Sequence, residues 1–442
     1  MRKYFGTDGA RGIANIELTN EFSYKLGRAI GIFLKKSNPV VMVGKDTRLS
    51  SPMLSFSLFA GLIAEGVNVI DLGIVPTPAV SYLTFNNKMD MGIMISASHN
   101  PYEFNGIKLI GSDGYKLPDE KEEEIEQIID NISKEEKFGD QLGVFSDGSK
   151  YVDDYKKHIK SLAKNSFSGH KVCIDAGDGV MSYFAKDIFT ELGAEVISIC
   201  DKGNGRIIND NSGSTSPENV ARIVKENQAF LGIAYDGDAD RVIFSDEIGD
   251  VIDGDHVISY AASNYKKDNK LTNNGCVVTI MSNYACEEFL NKNDITLYRT
   301  KVGDKYVMEK MVAENFKIGG EQSGHIIFLD HNRMGDGLQT SVIIMDMLIS
   351  NSDASSQITK IYENYPQVLV NAKVSNEFKK TYESNKNVAD AMNEIKNKLP
   401  KSRIIIRPSG TEPLVRIMIE GDDLNVITEE ANKLKNIMER EN

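Results

Sequence analysis

The chain has 442 residues, 41% of them hydrophobic and 26% charged, enough to fill several cores and more than one compact domain usually holds. A formal net charge of −13 excludes general attraction to nucleic acid or to an anionic membrane, since both need basic patches; an anionic substrate would need a locally positive cleft. The four cysteines, Cys173, Cys200, Cys276 and Cys286, form no C-x-x-C pair, which argues against zinc and against a disulfide framework.

The opening Met1-Arg2-Lys3-Tyr4-Phe5-Gly6 lacks an apolar signal core. No run approaches the roughly 20 apolar residues that span a bilayer, so a cytoplasmic protein without membrane insertion is expected. Three segments then repeat one pattern of apolar strand, turn, helix-length stretch and apolar strand. The first runs from Val40-Val41-Met42-Val43-Gly44 to Val67-Asn68-Val69-Ile70-Asp71-Leu72, with Ser51 as N-cap and Pro52 at the first helical position between them. The second joins Val172-Cys173-Ile174-Asp175 through 183–192 to Ala194-Glu195-Val196-Ile197. The third joins Cys276-Val277-Val278-Thr279-Ile280 through 284–291 to Ile295-Thr296-Leu297-Tyr298. Strands this continuously apolar, linked through helices, predict parallel sheets covered on both faces. The tail instead reads as strands over 403–407 and 414–420 around a turn, then a charged helix over 424–440, which predicts a small α+β domain. Turn residues at Gly148-Ser149, Asp253-Gly254-Asp255 and Tyr365-Pro366 mark breaks, dividing the chain into 1–150, 151–252, 253–366 and 367–442. The run Glu120-Lys121-Glu122-Glu123-Glu124 predicts a solvated helix face.

Four constellations can carry chemistry. Gly92-Ile93-Met94-Ile95-Ser96-Ala97-Ser98-His99-Asn100-Pro101 is an apolar strand running into a polar turn, and at the end of a parallel strand such a turn faces the crevice where ligands bind. Either serine is a candidate nucleophile, although no glycines flank Ser98 as in a hydrolase elbow. Lys108, in Asn105-Gly106-Ile107-Lys108, supplies a cation for phosphate. Taken alone, that segment reads as a hydrogen-bonded turn closing a strand. Asp236-Gly237-Asp238-Ala239-Asp240-Arg241 sets carboxylates at alternate positions, which can converge three hard oxygens on one Mg²⁺. An EF-hand is excluded, because Arg241 stands where glycine is needed and the flanks read as strands. Gly319-Gly320-Glu321-Gln322-Ser323-Gly324-His325, with Lys301-Val302-Gly303-Asp304 upstream, offers carboxylate, amide, hydroxyl and imidazole in one turn, suited to sugar hydroxyls or an amine. Arg407-Pro408-Ser409-Gly410-Thr411-Glu412-Pro413 combines guanidinium, hydroxyls and free N–H groups as a phosphate cradle. Gly44-Lys45-Asp46-Thr47 lacks the upstream glycine loop of a Walker motif, leaving triphosphate hydrolysis unsupported. His158, His170 and His331 read as surface or packing residues, and His256 is given no role.

In this order, and with Phe5-Gly6-Thr7-Asp8-Gly9-Ala10-Arg11-Gly12 at the start, the motifs resemble those of the α-D-phosphohexomutase superfamily over essentially the whole chain. The likeness is greatest to the branch that acts on glucosamine phosphates. The resemblance implies three related α/β/α domains with mixed, mainly parallel sheets and a small C-terminal α+β domain around a central cleft. It implies that Ser98 is carried as phosphoserine and that Asp236, Asp238 and Asp240 hold one Mg²⁺ per chain with an oxygen of that phosphoserine. It further implies that Glu321, Gln322 and Ser323 read the sugar, with Lys301 and His325 also binding substrate, and that Arg407, Ser409, Gly410 and Thr411 hold the phosphate that does not react. Arg11, Lys108 and Arg241 are candidates for offsetting charge on the transferring group; His99, Lys108 or His325 could assist the proton of the attacking hydroxyl. The implied reaction interconverts glucosamine 6-phosphate and glucosamine 1-phosphate through glucosamine 1,6-bisphosphate, intermediate and activator, toward UDP-N-acetylglucosamine and cell-wall precursors. Related mutases are commonly homodimers, and some associate with a diadenylate cyclase.

Three stretches depart from the commoner family pattern: Asp175-Ala176-Gly177-Asp178-Gly179, Gly213-Ser214-Thr215-Ser216, and Arg333-Met334 before Gly335-Asp336-Gly337. They bear on substrate preference and domain packing, not on reaction class. One rival is a superfamily member acting on mannose or glucose phosphates, against which Gln322 argues. Another is a catalytically silent sugar-phosphate-binding regulatory protein, against which the joint presence of Ser98 and the three aspartates argues.

Overall fold

The structure is a computed structural model describing residues 3–6, 8–132, 137–400, 402–409 and 413–442. Thr7, Gly410, Thr411 and Glu412, which belong to two of the motifs above, lie outside the described residues. The chain divides into two compact units, 1–282 with 290–361 and 283–289 with 362–442. No described helix is long and apolar enough to cross a membrane.

The larger unit holds three sheets, each grown around the apolar strands that the sequence marks. The first has six strands in the order Ala10–Ile13, Phe104–Gly111, Met91–Ile95, Val40–Lys45, Asn68–Ile74, Phe145–Asp147. Its last four strands are parallel, while Phe104–Gly111 is antiparallel to both neighbours. Val41, Val43, Val69, Ile93 and Ile95 pack with Leu26 and Ile30 of helix Asn20–Leu34 and with Leu54, Leu58 and Leu62 of helix Ser51–Ala64. Met42 and Met94, at the alternate positions, are buried as well, so both faces of these strands are covered, as continuous apolar runs require.

The second sheet runs Val251–Ile252, Val242–Ser245, Leu231–Tyr235, Lys171–Asp175, Glu195–Ile199, with the last three parallel and Val242–Ser245 antiparallel to both neighbours. The third runs Thr296–Thr300, Gly275–Thr279, Ile318–Gly320, Ile326–Phe328, and only the last pair is antiparallel. The expected mixed, mainly parallel sheets are therefore present. In the smaller unit an antiparallel sheet, Gln367–Lys373, Leu414–Glu420, Arg403–Pro408, shares a core with helices Lys386–Lys398 and Leu424–Arg440. The strand Gln367–Lys373 and the helix Lys386–Lys398 are additions to the strand-turn-strand-helix reading of the tail.

Some local expectations change. Ser50, not Ser51, occupies the N-cap of helix Ser51–Ala64, and it makes no side-chain cap bond. The Ser51 hydroxyl is drawn away by Asp46 Oδ1 at 2.9 Å. The helix expected over 183–192 in the second segment begins at Ala185, after a 3₁₀ turn over Val180–Tyr183. Glu122 is buried within helix Asp119–Asp130, so the acidic run is not a uniformly solvated face. His158 stacks on Tyr82 at 4.2 Å and His170 meets Phe230 edge-on at 4.7 Å, both as packing residues.

The backbone of the N-terminal segment is tied down by Glu126, while Asp130 accepts from Lys3 Nζ and the Tyr4 hydroxyl. Glu126 Oε1 accepts the backbone N–H groups of Lys3 at 3.0 Å, Tyr4 at 2.6 Å and Phe5 at 2.7 Å, and Oε2 accepts that of Lys3 at 2.8 Å. Removing a buried acceptor of several N–H groups costs about 2–3 kcal/mol. Glu126→Ala is therefore expected to lower the denaturant midpoint by a corresponding amount, measured by chemical unfolding, whereas a change at the exposed Lys121, Lys121→Ala, leaves it unchanged.

Candidate active site

The strand Met91–Ile95 lies inside its sheet and delivers the turn beyond it at its C-terminal end. Ser98 is buried there at φ +53°, a left-handed conformation that costs an L-residue about 1–2 kcal/mol. Its hydroxyl donates to Asp236 Oδ2 at 2.6 Å and lies 3.5 Å from Asp240 Oδ1 and 3.4 Å from His99 Nδ1. The Ser96 hydroxyl is turned to Asp46 Oδ2 at 2.7 Å instead. Of the two candidate serines, Ser98 faces the acidic loop.

That loop links the antiparallel strands Leu231–Tyr235 and Val242–Ser245, a hairpin and not the helix pair of an EF-hand. A Cβ on Gly237 would stand 2.8 Å from the Ser98 carbonyl oxygen and 2.7 Å from Ile208 Cδ1, so glycine is what lets the two loops meet. Asp236, Asp238 and Asp240 are buried, with one oxygen of each within 4.8 Å of the others. Lys108 Nζ donates to Asp238 Oδ2 at 2.9 Å and Asp240 Oδ2 at 3.1 Å, and the Thr77 hydroxyl donates to Asp238 Oδ2 at 2.5 Å. Burial, then repulsion from Asp240 and Asp238, drives the Asp236 carboxyl well above the usual range. At Asp240 burial acts the same way but is outweighed by His325 and Lys108, which hold it well below. Asp238 Oδ1 is buried with no hydrogen-bond partner. An orphaned hard oxygen among three converging carboxylates fits a divalent cation such as Mg²⁺.

Further charges close around this loop. Asp8 pairs with Arg11, and stands 3.2 Å from Lys108 Nζ and 2.6 Å from Lys116 Nζ; Lys116 also reaches Asp304 at 2.8 Å. Desolvation would raise Asp8 and Asp304, but Lys108 and Lys116 at Asp8, and Lys116 and His325 at Asp304, hold both low. Arg241 Nε donates to His325 Nδ1 at 3.0 Å, and His325 Nε2 lies 3.3 Å from Asp240 Oδ2. Burial opposes charge on His325, yet Asp240 and Asp304 raise its pKa. Because the Arg241 bond needs a lone pair on Nδ1, the proton belongs on Nε2, facing Asp240. His99 is pushed the other way: burial, then Arg241 and Arg11, bring it down to about 3, leaving it neutral.

The cluster thus gathers Arg11, Ser98, His99, Lys108, the three aspartates, Arg241 and His325, with Glu321 accepting from the Gly303 N–H at 3.1 Å and lying 3.7 Å from His325. Lys301 and Ser323 are exposed, and the Gln322 amide donates to Asp253 Oδ2 at 3.2 Å. Arg407 and Ser409 belong to the smaller unit, where the Ser409 carbonyl accepts from Lys379 Nζ at 2.8 Å. Gly410 and Thr411 lie outside the described residues. Sequence reasoning gave no role to Asp8, Asp46, Arg48, Thr77, Lys116 and Asp304. Asp8 and Asp304 stood inside quoted motifs; Asp46 and Arg48 follow an apolar parallel strand, the position where ligand loops gather.

Comparison with known proteins is consistent along the whole chain. Models of the phosphoglucomutase/phosphomannomutase α/β/α domains I, II and III match residues 2–136, 149–249 and 253–365, and that of the C-terminal domain matches 369–437. The chain is 47% identical to a phosphoglucosamine mutase of Clostridioides difficile (strain 630), covering 99% of both chains. It is 46% identical to one of Alkaliphilus oremlandii (strain OhILAs), over 98% of this chain and 99% of that one. Among solved structures, a phosphoglucomutase/phosphomannomutase family protein from Burkholderia thailandensis superposes with a TM-score of 0.83 at 22% identity, covering 99% of this chain and 97% of that one. An Aspergillus fumigatus N-acetylphosphoglucosamine mutase in complex with GlcNAc-6P and magnesium superposes with a TM-score of 0.69 at 17% identity, over 99% and 96%. With four domain models matched in order and relatives close to half identical from end to end, this chain belongs to the phosphoglucomutase/phosphomannomutase family.

Proposed function

We propose that the chain is a mutase that interconverts glucosamine 6-phosphate and glucosamine 1-phosphate, with Ser98 carrying the phosphoryl group and glucosamine 1,6-bisphosphate as intermediate, on the route to UDP-N-acetylglucosamine. The observation that carries this reading is Ser98 Oγ, 2.6 Å from Asp236 at the edge of a three-carboxylate cluster, in a chain that matches phosphoglucosamine mutases at 47% and 46% identity over nearly its full length.

In this reading phosphoserine gives its phosphoryl group to a sugar hydroxyl: the Ser98 Oγ–P bond breaks and a sugar O–P bond forms. The resulting bisphosphate turns over and returns its other phosphoryl group to Ser98. Asp236, Asp238 and Asp240 would hold Mg²⁺, which offsets charge on the transferring group. Arg11, Lys108 and Arg241 set further positive charge around the serine, where positioning and electrostatics dominate this chemistry. His99, kept neutral by burial, and His325, whose Nδ1 accepts from Arg241, are the imidazoles placed to assist the proton of the attacking hydroxyl. Glu321, Gln322 and Ser323, with Lys301, read the sugar in this scheme. Arg407, Ser409, Gly410 and Thr411 keep the role the family resemblance implies, holding the phosphate that does not react. On the same resemblance we add the four-domain division, a cytoplasmic location, a homodimer and association with a diadenylate cyclase.

In a coupled assay, glucosamine 6-phosphate is expected to be turned over faster than mannose 6-phosphate or glucose 1-phosphate; preference for a neutral sugar overturns the sugar assignment. Ser98→Ala is expected to abolish turnover with circular dichroism unchanged. Intact mass should then show a phosphatase-sensitive phosphate on the wild type alone after incubation with a hexose 1,6-bisphosphate. Chelation of divalent cations should stop turnover and Mg²⁺ should restore it, whereas undiminished activity in excess chelator would remove the metal from the scheme.

A further inference from the structure

Beneath the serine turn lies a side chain with no part in the scheme above. Arg48 is 1% exposed and directs all five of its N–H donors inward. Nε donates to Asp46 Oδ2 at 2.9 Å; Nη1 donates to the carbonyls of Pro101 and Phe104, the latter at 3.1 Å; Nη2 donates to those of Ser98 at 2.9 Å and Asn100 at 2.7 Å. Asp46, equally buried, completes the frame. Its Oδ1 accepts the Arg48 N–H at 3.0 Å and the Ser51 hydroxyl at 2.9 Å, and its Oδ2 accepts the Ser96 hydroxyl at 2.7 Å. Ser96 Oγ in turn accepts the Ser98 N–H at 2.9 Å.

Ser98 is therefore gripped on both sides of its α-carbon, at N–H through Ser96 and at C=O through Arg48, and both grips converge on Asp46. Asn209 adds a second donor to the Ser98 carbonyl at 2.9 Å. A left-handed φ at a serine persists only where its surroundings over-determine it. We infer that Arg48 and Asp46, acting through Ser96, are positioning residues: a clamp that fixes the left-handed turn at Ser98 and so aims its oxygen at the acidic loop. This deepens the mutase reading and rests on it. A loosened clamp misaims the phosphoryl donor without touching sugar recognition, so it lowers kcat and spares KM.

Two variants test the clamp in the full-length protein. Arg48→Lys keeps the charge, but three donors on one nitrogen cannot bridge four carbonyls; Ser96→Ala removes the hydroxyl that receives the Ser98 N–H. Each is expected to lower kcat on glucosamine 6-phosphate about 100-fold with KM changed less than about threefold. Amide exchange followed by mass spectrometry should quicken in a peptide spanning 96–104 and stay at the wild-type rate in the Val40–Lys45 strand. Ser96→Thr, which retains the hydroxyl, should recover most of the lost kcat. Wild-type kcat in folded Arg48→Lys and Ser96→Ala protein overturns the clamp, as does an activity loss matched by an equal loss of folded protein. Should Arg48→Lys fail to fold, Ser96→Ala alone decides. Faster exchange in the variants of a wild type that turns over no hexose phosphate would support the clamp while overturning the mutase reading.

Discussion

Three aspartates of one short loop, buried within 4.8 Å of one another, repel, and the larger unit is arranged to contain that repulsion. Two like charges about 4 Å apart cost on the order of 4 kcal/mol at an effective dielectric near 20, more than a surface turn would retain. Lys108 answers from the first sheet, His325 and Arg241 from the third and second, and Asp8 with Lys116 and Asp304 extend the alternation of sign. Four cations, Arg11, Lys108, Lys116 and Arg241, surround six carboxylates, the three of the loop with Asp8, Asp304 and Glu321. With the Asp236 carboxyl driven toward its protonated form, a divalent cation on the loop would take the place of that proton as counter-charge. The same charge pattern that makes the loop costly to bury suits it to hold a divalent cation.

The sheets were legible in the sequence because their strands are buried on both faces and read as unbroken apolar runs, as at Val40–Lys45 and Leu231–Tyr235. The strand Gln367–Lys373 was not, since its burial alternates and only Ala372 is fully covered, leaving Gln, Asn and Lys among its seven residues. The short strand Phe145–Asp147, exposed throughout, carries no pattern of its own and exists by pairing with Asn68–Ile74. In the site, Ser98 and the three aspartates were legible as local spacing. Asp46, Arg48 and Lys116 were not, because each acts on residues far along the chain, and a single arginine in a polar turn gives no sign that it will be buried. Ser51 misled for a related reason: its spacing suits a cap, but a buried carboxylate competes for the hydroxyl.

The loop proposed to read the sugar is anchored at two places. Glu321 and His325 join the buried network, whereas the Gln322 amide reaches Asp253, the N-cap of helix Gly254–Lys267. Asp253 also bonds the His256 backbone N–H at 3.0 Å and its ring Nδ1 at 2.8 Å. A Cβ on Gly254 would stand 2.1 Å from the Glu321 carbonyl oxygen, so helix start and loop are in direct contact. Gln322, braced by a helix terminus, can change without disturbing the three aspartates, whereas His325 of the same loop stands 3.3 Å from Asp240 and cannot.

The sequence separations across the cluster have a consequence for how the protein is made. Ser98 and Asp236 are 138 residues apart, Lys108 and Asp238 130, Lys116 and Asp304 188. Each sheet is built from nearby strands and helices and can gather early, but contacts this distant close late, after the loop entropy between them has been overcome. Until then the acidic loop stands without Lys108 and the serine turn without its carboxylate. On the ribosome, where the N-terminal sheet emerges first, secondary structure would be in place well before any reactive geometry. Regain of activity on refolding is therefore a marker of interdomain docking, not of chain collapse.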